Sequence, residues 1–189
     1  MSAGLLTRAT LDDLMKVDGK AELIDGRIVH FMASGVLHTR ISTRILLSLY
    51  GFVESRGIGE AFCDALGYAC DVELANGRQS FCPDVSYYLG DMPDNEQGFI
   101  NGPPTFAVEV RSETDTGRAA ERDMADKRAD YFAAGTIVVW DVDAVAKTVA
   151  KYTADSPDVP VVFTRGQAAD AEPALPGWTL NLDALFALR

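Results

Sequence analysis

The chain has 189 residues, of which 48% are apolar and 24% are charged, and its formal net charge is −11. We expect a single domain over residues 1–189, because this length suits one hydrophobic core. The apolar content excludes a disordered chain, and no apolar run reaches the roughly 18 residues of a membrane span. The acidic charge excludes a broad nucleic-acid-binding surface, which would be basic, but leaves open a local groove or binding through metal ions.

The N-terminal residues and the cysteines favour a cytoplasmic protein. The first residues lack the long apolar core of a signal peptide. Cys63, Cys70 and Cys82 form no CxxC pair, and their odd number favours reduced thiols over a disulfide framework. We expect all three to be buried and inert.

The first half of the chain predicts a short helix, a hairpin and a long helix. Thr10 and Asp13 indicate a capped helix over residues 11–16. Asp-Gly at 25–26 between apolar runs predicts a hairpin over 23–29, which Glu22 opens. Apolar residues at helical spacing over 36–53 predict a long amphipathic helix that ends near Gly51 or Gly57, with His38 in its first turn. Phe81 begins a predicted strand over 81–89.

The second half predicts a strand–helix–strand unit followed by short strands. The unit consists of a strand at 105–111, a helix at about 119–134 that Gly135 ends, and a buried strand at 137–142. Further strands are predicted at 145–153, 159–164 and 178–182, with Asp183 capping a last helical turn through residue 188. This order predicts a mixed α/β or α+β sheet, in which the strands 105–111 and 137–142 are parallel.

The predicted strand over 105–111 contains one carboxylate, Glu109. By the period-2 rule its faces are Phe106, Val108 and Val110 on one side and Ala107, Glu109 and Arg111 on the other. Both faces are apolar until Glu109, as in a covered central strand. A carboxylate there is costly unless it meets a cation, a metal or hydrogen-bond donors. Glu109 therefore marks a site or is neutralised by Arg111.

Three side chains carry the predicted chemistry. Asp84 follows Pro83 at one strand, Glu109 lies in the next core strand, and Lys127 lies on the helix after it. Two carboxylates on neighbouring strands can share one Mg²⁺ or Mn²⁺, with the backbone carbonyl of Val110 as a further ligand. A lysine beside such a metal can orient or deprotonate the attacking water and stabilise phosphorane charge.

These residues resemble a known family. Its pattern is matched by Pro83-Asp84-Val85, Val108-Glu109-Val110-x-Ser112, Lys127-x-x-x-Tyr131, Trp140-Asp141-Val142, the opening Glu22-Leu23-Ile24-Asp25-Gly26, His38 and the closing Pro176-Gly177-Trp178. Over about residues 10–188 the chain resembles the Uma-type restriction endonucleases of the PD-(D/E)XK nuclease superfamily. The resemblance implies a restriction-endonuclease-like core that hydrolyses DNA with a divalent metal, and it assigns Asp84 and Glu109 as metal ligands.

One position departs from the superfamily pattern. That pattern has a lysine two residues after the glutamate, where this chain has Arg111. Arginine keeps its proton, so Arg111 is interpreted as a phosphate or structural contact rather than a base. The Uma-type pattern has a lysine on the following helix, and Lys127 is interpreted as this migrated catalytic lysine. Glu22 and His38 complete the auxiliary candidates.

Each candidate also has a purely structural interpretation. Asp84 can cap a turn, and Lys127 can pair with Asp123 on the helix surface. Glu22 can simply frame the hairpin, and His38 can bond the helix end. Tyr131 and Trp140 are predicted to be core residues.

Two function classes remain open at the level of sequence. The trio of Asp84, Glu109 and Lys127 favours a nuclease, whereas the acidic charge and Arg111 favour a catalytically degenerate binding or regulatory module on the same fold. A small enzyme that cuts both strands of a duplex would most simply be a symmetric homodimer. The apolar segments 159–163 and 178–182 are the candidate interface.

Overall fold

The computed structural model describes residues 8–71, 73–112, 115 and 117–187. Its helices are α1 Leu11–Leu14, α2 Val36–Arg56, α3 Gly117–Ala134 and α4 Leu182–Leu185. Its strands are β1 Ala21–Ile24, β2 Arg27–His30, β3 Glu60–Cys63, β4 Tyr68–Ala69, β5 Ser80–Phe81, β6 Val85–Tyr88, β7 Ile100–Asn101, β8 Phe106–Val110, β9 Val138–Asp143, β10 Thr148–Thr153, β11 Ser156–Phe163, β12 Ala168–Asp170 and β13 Thr179–Asn181.

The first elements follow local sequence rules closely. Thr10 and Asp13 form a capping box on α1, which ends at Leu14 rather than at the predicted residue 16. Asp25 and Gly26 both have positive φ, 51° and 66°, as the predicted type I′ turn between β1 and β2 requires. Helix α2 runs to Arg56 and ends at Gly57, the second of its two predicted ends, where Gly57 in the left-handed conformation caps it.

A mixed six-stranded sheet organises the fold, in the order β11-β10-β9-β8-β6-β3. β8 and β9 are parallel, with α3 connecting them along the chain, and the other neighbouring pairs are antiparallel. The predicted α+β class and the predicted parallel pair of strands are therefore confirmed. Among the described residues, no helix is both long and apolar enough to cross a membrane.

The two faces of the sheet pack against different helices. The larger core joins α2 to one face and contains Ile41, Ile45, Leu49, Val85, Phe106, Val108, Val110 and Trp140. The smaller core on the α3 side contains Tyr68, Phe81, Ala107, Tyr131 and Val139. Alternation along β8 therefore places Glu109 with Ala107 on the α3 side. Tyr131 and Trp140 are fully buried, as predicted.

The prediction of one continuous strand over 81–89 is wrong, because the structure has two strands there, β5 and β6. β5 ends at Phe81 and β6 begins at Val85, with Cys82, Pro83 and Asp84 between them. Proline has no N–H for a sheet ladder, so the pairing stops there. The break also changes the alternation. In one continuous strand Phe81 would share a face with Val85 by the period-2 rule, but Phe81 stacks on Tyr131 in the α3-side core instead.

Two smaller predictions also need correction. Asn181, not Asp183, caps α4, because its side chain accepts a hydrogen bond from the N–H of Ala184. Asp183 lies in the first turn, and the predicted end of this turn at residue 188 is outside the described residues. Cys70 and Cys82 are buried as predicted, but Cys63 is exposed.

Candidate active site

The backbone of β8 brings Asp84 beside Glu109. The Asp84 N–H donates to the carbonyl of Val108 at 3.1 Å, and the Asp84 Oδ2 accepts from the N–H of Val110 at 2.8 Å. Asp84 therefore contacts the residues on both sides of Glu109. Asp84 lies between β5 and β6, directly after the break at Pro83, and its carboxylate turns onto the backbone of β8. The two sequence-predicted carboxylates are neighbours.

Asp84 is 5% exposed and is surrounded by donors. Its Oδ1 accepts from the Nζ of Lys20 at 2.7 Å, and its Oδ2 lies 3.0 Å from the Nε2 of His38. Burial alone would raise the pKa of Asp84, but the His38 hydrogen bond and the Lys20 charge hold it well below its ordinary value. Asp84 is thus a buried anion, and turn capping does not account for its contacts.

Glu109 is 8% exposed and bonds to helix α3. Its Oε1 accepts from the Tyr131 hydroxyl at 2.6 Å and from the Nζ of Lys127 at 2.8 Å. Burial raises the pKa of Glu109, and the Lys127 charge opposes that rise. Neutralisation by Arg111, the structural alternative, is wrong, because α3 supplies the cation.

Lys127 points inward, although it lies on a largely polar helix. Its side chain is 12% exposed, and its Nζ lies 2.8 Å from Glu109 Oε1 and 3.1 Å from Glu22 Oε1. Burial lowers the pKa of Lys127, but the charges of Glu109 and Glu22 raise it overall. The alternative of a surface pair with Asp123 does not describe this buried position.

Glu22 is a fully buried member of the same cluster. It accepts from the Cys82 N–H at 2.9 Å, from Arg78 and from Lys127. Burial alone would raise the pKa of Glu22, but Lys127 and Arg78 lower it. Glu22 therefore does more than frame the hairpin, since it links β1 to α3 and to the segment that precedes Asp84.

His38 connects α2 to the site. Its Nε2 lies against Asp84, and this hydrogen bond raises the pKa of His38. Its Nδ1 is buried and has no hydrogen-bond partner among the described residues. The histidine therefore bonds across the structure to Asp84, rather than merely finishing its own helix end.

One family model and one solved structure are similar to this chain. Residues 9–183 match a family model described as "Uma2: Putative restriction endonuclease". The chain belongs to the Uma2 family. A solved structure from Anabaena variabilis ATCC 29413, described as "a putative nuclease belonging to DUF820", is similar in fold, with a TM-score of 0.73 and 21% identity. The alignment covers 94% of this chain and 97% of that one. Comparison with curated proteins gave no match.

In this Uma2 chain, Arg111 is engaged away from Glu109. Its guanidinium makes two 2.7 Å hydrogen bonds to Asp141 and further bonds to Glu121. These partners raise the pKa of Arg111 further above its already high value. Of the two sequence interpretations, these contacts favour the structural one over phosphate binding.

Two cations of the candidate site were not identified from the sequence. Lys20, just before β1, contacts Asp84, and Arg78 pairs with Glu22 and, at 3.2 Å, with Asp130. Both precede short strands in polar segments, where a solvated side chain is the ordinary expectation. The only available signal was the nearness of Lys20 to Glu22 along the chain.

The donor chemistry of Asp84 and Glu109 fits a hard divalent cation. Among the residues that the structure describes, no group of three or more His, Cys, Asp and Glu side chains is arranged to hold a metal. Mg²⁺, however, keeps several waters and is usually held by one or two carboxylates. Two adjacent carboxylates, with the Val110 carbonyl as a candidate third oxygen, meet that need.

Proposed function

We propose that this protein is a metal-dependent endonuclease that hydrolyses phosphodiester bonds in DNA. Asp84 and Glu109 hold Mg²⁺ or Mn²⁺, with the Val110 carbonyl as a further ligand, and Lys127 is the catalytic lysine. The observation that carries the proposal is the position of Lys127, whose ammonium contacts Glu109 while Asp84 lies against the backbone on both sides of that glutamate. Membership of the Uma2 family supports the same chemistry.

The bound metal would supply an activated water and Lewis-acid stabilisation of the phosphate. The chain's own residues supply position and charge. Lys127 holds a positive charge next to Glu109, where it can orient the attacking water and stabilise negative charge on the phosphorane. Glu22 holds Lys127 from the other side, and Tyr131 fixes the Glu109 carboxylate. His38 likewise orients Asp84.

The test is plasmid nicking with Mg²⁺ or Mn²⁺, combined with Mn²⁺ calorimetry. Asp84→Asn and Glu109→Gln should each lose metal binding and cleavage. Lys127→Ala should retain metal binding but lose about 10²-fold or more in rate, the scale of a positioned acid–base group. Asp123→Asn, an exposed change on the same helix, is the matched control and should behave as wild type. Full activity in folded Lys127→Ala would contradict the assignment of Lys127.

A second function is favoured by one specific observation. Each proposed ligand already has its own lysine, Lys20 for Asp84 and Lys127 for Glu109. A site neutralised in this way also suits a binding or regulatory module that has lost catalysis. Absence of Mn²⁺ binding to the wild-type protein would favour this second function, whereas Mn²⁺ binding that Asp84→Asn abolishes would favour the nuclease.

A further inference from the structure

Lys20 is a second lysine at the proposed metal site. Its side chain is 17% exposed, and its Nζ lies between two carboxylates, 2.7 Å from Asp84 Oδ1 and 2.6 Å from Asp64 Oδ1. Asp64 follows β3, is itself half exposed, and is held in place because its Oδ1 accepts from the N–H of Ala65 at 2.9 Å. Lys20 therefore has one partner inside the site and one at its edge.

The two oxygens of Asp84 differ in what they bind. Oδ2 lies against His38 and the N–H of Val110, both of which belong to packed elements. Over the described part of the chain, Oδ1 contacts Lys20 alone. The oxygen that a metal could take without breaking the backbone contact is thus the one that Lys20 holds. A divalent cation bound by Asp84 would therefore compete with the Lys20 ammonium for Oδ1.

Lys20 and Lys127 both lie near the ring of Phe31. The Phe31 ring, which is 40% exposed, has its centroid 5.8 Å from the Nζ of Lys20 and 5.7 Å from the Nζ of Lys127. Both ammonium groups therefore lie near one partly exposed ring. A lysine that moved from Asp84 toward Asp64, whose side chain is 45% exposed, would lie close to solvent.

We propose that Lys20 is a displaceable counter-ion of the metal site. The divalent cation takes Asp84 Oδ1, Asp64 retains the Lys20 ammonium, and Lys20 then contacts a phosphate oxygen of the DNA. This inference rests on the proposed nuclease function. It assigns Lys20 a role in metal loading and substrate contact, and it assigns Asp64 the role of a positioning residue.

Mn²⁺ calorimetry tests the competition, because two substitutions should act in opposite directions. Lys20→Met removes the competing cation and should lower the Kd for Mn²⁺ by about tenfold or more. Asp64→Asn removes the second anchor, so Lys20 stays on Asp84 and the Kd should rise. Lys20→Arg keeps a competing cation and should stay near wild type. Lys16→Met makes the same charge change at an exposed position and should stay within about twofold, because solvent screens it.

DNA binding provides a second measurement. Fluorescence anisotropy with a labelled duplex in Ca²⁺ should show weaker binding by Lys20→Met, although that variant binds metal more tightly. Circular dichroism confirms that the variants are folded, and Lys20→Gln replaces Lys20→Met if the latter is not. An unchanged or higher Kd for Mn²⁺ in folded Lys20→Met, while Asp84→Asn abolishes binding, overturns this inference alone. No Mn²⁺ binding by the wild type overturns the proposed metal site as well.

Discussion

Replacing Lys127 with methionine should destabilise the protein by about 3 kcal/mol. The substitution keeps most of the side-chain volume but leaves Glu22 and Glu109 without their shared cation. Removing one partner of a buried ion pair costs about 3–5 kcal/mol. The lower end applies because Glu22 keeps Arg78 and Glu109 keeps the Tyr131 hydroxyl.

Thermal and urea unfolding without metal measure this loss. A cost of about 3 kcal/mol should lower Tm by about 6–12 °C in a chain of this size. The control Lys16→Met removes a lysine whose side chain is 74% exposed and should change stability by less than about 0.5 kcal/mol. In the double variant Lys127→Met with Glu22→Gln, the loss should be smaller than the sum of the single losses. A loss below about 1 kcal/mol in Lys127→Met would refute the claim that the buried group of Lys127, Glu22 and Glu109 stabilises the fold.

Arg111, Tyr131 and the edge strand β11 are the subjects of three further predictions. Arg111→Ala should lower the free energy of unfolding in urea by about 2–3 kcal/mol, because Asp141 loses charged hydrogen bonds. The Kd for Mn²⁺ should stay near wild type, and loss of Mn²⁺ binding would contradict the structural role of Arg111. Tyr131→Phe should cost about 1.5–3 kcal/mol by the same assay, because Glu109 loses a hydroxyl donor; unchanged stability would argue against that bond. We also propose a homodimer through the exposed valines of edge strand β11, which contains the predicted interface segment 159–163. The other predicted segment, 178–182, does not supply an interface, because Trp178, Leu180 and Leu182 are buried in the larger core. Light scattering should give twice 20.4 kDa for wild type and a monomer for Val161→Lys; a monomeric wild type would contradict the homodimer.

Local sequence signals predicted most of the secondary structure. The Asp-Gly turn, the Thr10 capping box and the alternation of β8 depend on contacts between near neighbours along the chain, so their patterns are sufficient. The parallel pairing of β8 and β9 followed from the connecting helix α3. The prediction of one strand through Pro83 was wrong because proline has no N–H for the sheet ladder, which outweighed the alternating pattern on both sides of it.

The candidate residues were also identified from the sequence, but not their partners. Spacing and family resemblance singled out Asp84, Glu109 and Lys127, because strand-end carboxylates need a counterpart. Which cation each carboxylate meets depends on side chains that lie far apart in the chain. Asp84 meets Lys20 across 64 positions, and Glu22 meets Arg78 across 56.

The sequence and the tertiary structure determined different properties of this site, for a physical reason. The sequence by itself determined the order of elements, the alternation that buries Glu109 and the family to which the chain belongs, since each depends on local pattern. Only the tertiary structure decided that Lys127 turns inward between two carboxylates, that Arg111 belongs to Asp141, and that Lys20 holds Asp84. A buried carboxylate is paired with whichever cation the packing of the chain brings within about 3 Å. The periodicity of the sequence does not encode which residues come that close.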